Sequence, residues 1–307
     1  MPRLTVDRPD TVCVTWELTT VCNYACWYCH EDFHNGRYRW PDLDASIGFF
    51  RELCAKKQHV VLDIQGGEPS LWPSLQDFVD AKPSNLEIEL SSNGSRSVEW
   101  WQRNYRKLDN LVLSFHAGAD LEHFQQVLRV VADGTVNVHV WILGDADFHD
   151  TSRQLLEFIK TSGLCLSCKL KVIDSRASSE LASRVSANKS RLSLDEFQEF
   201  HHRNPRQRPS TKPGSLYIDG QEMDMVDIMY NELYKFQGWT CNAGVTRFYI
   251  RGNGDIYRAS CGNDPKLGSL RDHDGMFDIK PTICTQLSCA CTDDIKVEKW
   301  ISEATRV

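Results

Sequence analysis

A chain of 307 residues with 41% hydrophobic and 25% charged residues has the makeup of a globular protein with one large core, or one core and a smaller appended unit. Its net charge of −7 leaves no basic footprint for nucleic acid as the main partner, and the one local basic run, residues 203–212 (RNPRQRPSTK), reads as a solvated loop. Neither an apolar signal-peptide core nor an 18-residue apolar run is present, so the expectation is a cytoplasmic protein without a membrane partner, where twelve clustered cysteines favour metal over disulfides.

In chain order, residues 11–18 (TVCVTWEL) alternate β-branched and aromatic residues as a strand does, with Cys13 as a core position. That strand delivers the loop TTVCNYACWYCH, in which Cys22, Cys26 and Cys29 stand in a C-x3-C-x2-C spacing. Residues 42–57 follow as a helix with Leu43, Ile47, Phe50 and Cys54 at helical spacing, Cys54 being a small buried hydrophobe. Strands at 59–65, 85–91, 110–115, 136–143 and 164–174 then alternate with helices at 73–81, 98–108, 120–132 and 151–162. The pattern describes parallel βαβ units with right-handed crossovers, and it falls short of a closed eight-stranded barrel. Ligands of such sheets lie at the carboxyl ends of the strands, where the cysteine loop falls.

Three thiolates on one short loop suit an iron–sulfur cubane that leaves one iron open. Zinc would need a fourth ligand, and His30, directly after Cys29, is awkwardly placed to close a tetrahedron. C-x3-C-x-aromatic-C, with Tyr28 as the aromatic, resembles the signature of radical S-adenosylmethionine (SAM) enzymes. The resemblance implies a partial (β/α)6 barrel and a [4Fe-4S] cluster on Cys22, Cys26 and Cys29. It also implies SAM on the open iron, with Tyr28 near the adenine.

Two further motifs lie at strand ends. Gly66, Gly67 and Glu68 (in QGGEP) allow close backbone approach and offer a carboxylate, and they resemble the family's motif for the methionyl amino group of SAM. Ser92 and Asn93 (in SSNG) and Ser114 occupy positions resembling those that line the SAM carboxylate and ribose, although turns explain them too. His116 is a candidate to face substrate. Cys165 and Cys168 form a C-x2-C whose side chains an extended strand would point to opposite faces, so packing is the first expectation and a redox or hydrogen-donor thiol the second.

Residues 1–174 are thus expected to form the core, residues 175–235 a bridging region with one helix at 193–202, and residues 236–307 a small α+β domain. The last carries Cys241, Cys261, Cys284, Cys289 and Cys291, with a hairpin signal RGNG at 251–254. CNAG…YIRGNGDIYRASC…CTQLSCAC resembles the twitch domain, the shortened SPASM module, which implies one auxiliary [4Fe-4S] cluster with five cysteines competing for four places. A four-cysteine zinc ribbon is the alternative. The resemblance implies hydrogen abstraction from a peptide or small-molecule substrate with oxidative loss of a further electron, and an electron donor such as flavodoxin or ferredoxin. A redox-neutral reaction with a cysteine hydrogen donor, or a non-catalytic iron–sulfur or zinc protein, are the competing expectations. With only ten residues ahead of the first strand, a leader-peptide-binding domain is not expected.

Overall fold

The computed structural model describes residues 2–173, 199–223, 228, 231–261, 265–289 and 291–301, the side chains of residues 146 and 172 excepted; the helix expected at 193–202 falls almost entirely outside them. Two sheets organise the chain. The larger takes its centre from six parallel strands in sequence order, β2 (Thr11–Thr19), β3 (His59–Gly66), β4 (Leu86–Ser92), β5 (Asn110–Phe115), β6 (Asn137–Gly144) and β7 (Leu166–Val172), counted from β1 (Arg3–Val6) in the smaller sheet. Helices α1 (Leu43–Lys56), α2 (Leu75–Asp80), α3 (Val98–Asn104), α4 (Leu121–Val131) and α5 (His149–Thr161) connect them. The expected βαβ alternation is therefore present, and no described strand closes the sheet into a barrel.

Helix periodicity explains which face each helix buries. α1 is capped by the Asp42 side chain, which accepts from Ala45 N at 2.9 Å, and it buries Ser46, Phe49, Phe50, Leu53 and Cys54. Trp16 of β2 anchors this layer, with ring centroids 5.7 Å from Phe50 and 5.5 Å from Phe78. α4, capped by Asp120, buries Phe124, Val127, Leu128 and Val131, each contributing about 1.5–3 kcal/mol.

A parallel sheet covered on both faces reads as continuous apolar runs. These strands alternate instead: Leu86, Ile88 and Leu90 of β4 are buried under the helices, while Glu87, Glu89 and Ser91 take the other face. That polar inner face holds Thr15 and Glu17 of β2, Asp63 and Gln65 of β3, and Trp141, Lys169 and Lys171 of β6 and β7. Cys13, half-buried, is on this face and not in the helix-side core.

The basic run at 203–212 is not a solvated loop; it seats under the amino ends of the strands. Gln207 accepts from Ser167 Oγ at 2.6 Å, Arg208 N donates to Asn137 Oδ1 at 3.0 Å, and Lys212 Nζ reaches Asp63 and, at 2.7 Å, Glu89. Burial alone would lower the Lys212 pKa. The two carboxylates overcome it and hold the ammonium protonated above the usual lysine range.

The C-terminal strands join both sheets. The expected hairpin forms from β11 (Arg247–Ile250) and β12 (Asp255–Tyr257), and β11 pairs parallel with β2, Arg247 opposite Cys13 and Ile250 opposite Trp16. β13 (Gly268–Ser269) completes this nine-stranded sheet. The smaller sheet runs β14–β10–β15–β1–β8–β9, from Thr282–Ile283, Thr240–Cys241, Lys299–Trp300, Arg3–Val6, Leu216–Ile218 and Gln221–Met223. β1 and β15 thus pair in one sheet, and both sheets contain strands from either side of the boundaries expected at 174 and 236.

Candidate functional site

The cysteine loop is fixed where it leaves β2. Val21 N donates to Thr19 Oγ1 at 2.9 Å, Thr19 Oγ1 donates to Tyr38 O at 2.9 Å, and Trp27 Nε1 donates to Asp145 Oδ2, beyond β6, at 2.8 Å. From the other side, Gly67 N and Glu68 N donate to Thr19 O and Val21 O, both at 2.7 Å. A Cβ on Gly66 would lie 2.5 Å from Thr19 O, and one on Gly67 would lie 2.3 Å from Val21 O. The glycines therefore serve a close approach of two backbones, and Gly66 also has φ +127°.

Glu68 is fully buried, and its carboxylate faces inward, accepting from Ser70 N at 3.0 Å, Ser92 Oγ at 2.7 Å and Asn93 N at 2.6 Å. Burial raises its pKa against the lowering effect of those donors. Asn93 Nδ2 in turn donates to Asn23 Oδ1 at 3.0 Å, between Cys22 and Tyr24. Glu68 thereby holds the end of β4 against the cysteine loop.

These elements surround a cavity of about 610 Å³ at the carboxyl ends of the strands. Cys22, Cys26, Cys29, Tyr28, Gly66, Gly67, Ser92, Asn93, Ser114 and His116 all line it, while Glu68 stands behind the wall. His116 Nδ1 lies 3.4 Å from Cys26 Sγ and 2.6 Å from the Tyr28 hydroxyl, with the two rings parallel. Burial, and then Lys171, push the His116 pKa down to about 4, and burial pushes the Cys29 thiol up to about 11. Cys165 and Cys168 are buried and do not line the cavity, Cys168 Sγ donating to Phe200 O, as the packing expectation has them.

The C-terminal cysteines divide. Cys241, Cys261, Cys284 and Cys289 line one small pocket, whereas Cys291, also counted as a metal ligand from the sequence, lines the large cavity. None of the twelve cysteines is in a disulfide. Asp294 forms the partition: its carboxylate accepts from Ser260 Oγ at 2.6 Å and from Arg247 Nε at 3.3 Å, and Arg247 Nη2 donates to Thr15 Oγ1 at 2.7 Å. Beside the four thiols, the buried Lys299 ammonium donates to the carbonyls of Asp294, Ile295 and Val297 at 2.7–3.1 Å. Burial raises the Cys241 and Cys289 thiols, Cys289 to about 12, with Lys299 opposing. Such thiols stay protonated until a metal or cluster displaces the proton. Among the described residues no three His, Cys, Asp or Glu side chains are grouped to hold a single metal ion.

Sequence reasoning missed Arg247, Tyr249 with its partner Glu17, Trp141, Lys171 and the cavity-side position of Cys291. The period-2 alternation of 137–143 and 166–171 carried the signal for Trp141 and Lys171. Nothing local announced that β11 would pair with β2.

Residues 16–146, fewer than half of the chain, match the model of the radical SAM superfamily. Among curated relatives, the mycofactocin maturase MftC of Mycobacterium ulcerans is 31% identical over 93 residues, covering 30% of this chain and 24% of the relative. The match spans about a quarter of that protein's length. Among solved structures, Streptococcus suis SuiB bound to the precursor peptide SuiA is similar in fold, with TM-score 0.53, 13% identity, and coverage of 88% of this chain and 66% of that one. Native anSMEcpe with bound AdoMet and the Cp18Cys peptide gives TM-score 0.52 at 12% identity, covering 88% of this chain and 81% of that one. No described helix is long and apolar enough to cross a membrane.

Proposed function

We propose that this protein is a radical SAM enzyme that modifies a peptide, by reductive cleavage of SAM and abstraction of a substrate hydrogen atom. The observation that carries the reading is the gathering of Cys22, Cys26 and Cys29 with Gly66, Gly67, Asn93 and Ser114 around one cavity at the strand ends. Three thiols on one loop are the donor set for a cubane with an open iron. When bound, the cluster would supply one electron for the reductive cleavage of SAM.

The chain's own residues then have distinct tasks. Cys22, Cys26 and Cys29 hold three irons. Gly66 and Gly67 offer backbone atoms to the methionyl ammonium, while Ser92, Asn93 and Ser114 offer polar groups to the carboxylate and ribose. Tyr28, fixed by His116 and by its place between the cysteines, borders the adenine. Glu68 acts from behind, holding Asn93 and the cysteine loop in register. The cavity walls keep water from the reacting centre while the substrate is held.

Cys241, Cys261, Cys284 and Cys289 are the ligand set of an auxiliary [4Fe-4S] cluster, with Cys291 outside it. Asp294 lines the pocket of those four thiols and accepts from Arg247 and Ser260, which line the large cavity, an adjacency that suits removal of an electron from the substrate and hence dehydrogenation or cross-linking. A flavodoxin or ferredoxin supplies the first electron, and the cytoplasm is the compartment. Support for a peptide comes from the names of the relatives above, one bound to a precursor peptide. The test is anaerobic reconstitution followed by assay of 5′-deoxyadenosine with dithionite, in the parent and in Cys26→Ala.

A further inference from the structure

The inner face of β6 and β7 carries a wall made of donors. Trp141, Lys169 and Lys171 point the same way because alternate residues of a strand share a face, and Trp141 pairs in register with Lys169. Their neighbours Val140, Ile142, Cys168 and Leu170 are in the core on the other side. Lys171 Nζ stands 4.2 Å from the Trp141 ring centroid and Lys169 Nζ 5.2 Å from it.

Neither ammonium has a carboxylate within ion-pair distance among the described residues. The acids whose charge reaches them are engaged elsewhere: Glu89 with Lys212 at 2.7 Å, and Asp293 with Arg247 at 3.7 Å. Burial lowers both lysines from the usual range, followed by repulsion from Lys296 on Lys169 and from Lys169 on Lys171. Trp141 Nε1 is buried and has no hydrogen-bond partner. A buried donor without an acceptor is rare in native folds, and this indole N–H stands beside the ammonium groups of two exposed lysines at one wall, with Trp141 and Lys171 lining the cavity.

We propose that this wall is a subsite for a carboxylate of the peptide substrate, from an acidic side chain or the C-terminus, an inference that rests on the peptide-modifying reading above. A carboxylate is acceptor-only, and its two oxygens offer about four lone-pair sites, enough for both ammonium groups and the indole N–H. The lysine stems over the indole are the movable part, and they swing to admit it. The subsite is assigned to substrate because the cysteine loop, Gly66, Gly67 and Asn93 stand at the ends of β2 to β4 and Ser114, on β5 beside Trp141, is the last group given to SAM, whereas the two lysines lie one strand further, on β7. Holding the substrate by its charge there leaves the residue next to that carboxylate facing the cavity.

The test uses reconstituted full-length protein and three rhodamine-labelled heptapeptides followed by fluorescence anisotropy. One has a central Glu and a blocked C-terminus, the second is its Gln twin, and the third is the Gln peptide with a free C-terminal carboxylate. At least one carboxylate peptide is expected to bind tenfold or more tightly than the blocked Gln twin, and which one does so identifies the source. Lys169→Met with Lys171→Met abolishes that preference, Lys169→Arg with Lys171→Arg keeps most of it, and the SAM dissociation constant and substrate-free 5′-deoxyadenosine formation stay at parental values. Equal binding of all three peptides overturns the proposal, as does a double variant that loses SAM affinity, which would give the wall to the SAM carboxylate. Absence of deoxyadenosine in the parent would instead refute the radical SAM reading, so the two failures are distinguishable.

Discussion

The replacement Gly67→Ala probes the contact on which the site's geometry depends. The added Cβ would meet Val21 O at 2.3 Å, Val21 C at 2.7 Å and Thr20 C at 3.1 Å, all backbone atoms that no rotamer change can move. The end of β3 must therefore part from the cysteine loop. Overpacking of this kind costs about 1–3 kcal/mol, and weakening the bonds from Gly67 N and Glu68 N costs about 0.5–1.5 kcal/mol each, giving a loss of about 2–6 kcal/mol. Gly48→Ala is the matched control, since its Cβ meets nothing within 4 Å in the middle of α1, and it should stabilise by about 0.5–1 kcal/mol. Urea denaturation of the apo protein reads both, and the reconstituted Gly67→Ala protein should lose deoxyadenosine formation as its loop shifts. Parental stability together with parental SAM cleavage in Gly67→Ala would refute the argument that these glycines hold the loop.

Other substitutions separate the remaining assignments. Cys289→Ala should lower bound iron from about eight to about four per chain while Cys291→Ala leaves it unchanged, by the stoichiometry of two cubanes; iron analysis giving the reverse would exchange their roles. Glu68→Ala should lower stability as well as SAM affinity, because buried donors from Ser70 and Asn93 lose their acceptor at about 1–3 kcal/mol each. A pure contact to SAM predicts weaker binding with an unchanged urea midpoint. Arg247→Met should destabilise by about 3–5 kcal/mol, since it strips the buried Asp294 of its cation, and adding Asp294→Asn should restore part of that loss in the same denaturation assay.

The parallel core was legible because its helices and strands announce themselves locally. The apolar spacing of α1 and α4, their Asp42 and Asp120 caps, and the alternation of β4 all follow from neighbours in sequence, and the expected strand at 110–115 matches β5. The C-x3-C-x2-C loop and its glycine pair were legible for the same reason. What failed depends on partners distant in sequence. Arg3–Val6 has no strand signal of its own until β15 and β8 flank it, and Lys212 is an ordinary loop lysine until Asp63 and Glu89 meet it. The resemblance sets Glu68 toward the methionyl ammonium of SAM, and no local pattern announces the donors from Ser92 and Asn93 that its carboxylate meets at the end of β4. Cys291 lies two residues from Cys289, and spacing could not separate them; the walls of two different cavities do.

The central claim is that the Cys22, Cys26 and Cys29 loop holds a SAM-cleaving cluster. The most direct measurement is EPR of anaerobically reconstituted, dithionite-reduced protein with and without SAM, paired with chromatographic detection of 5′-deoxyadenosine. A reduced [4Fe-4S] signal that changes when SAM is added, deoxyadenosine in the parent, and the loss of both in Cys26→Ala are the results expected. A parent that binds zinc there, or a cluster signal indifferent to SAM with no deoxyadenosine formed, would contradict it.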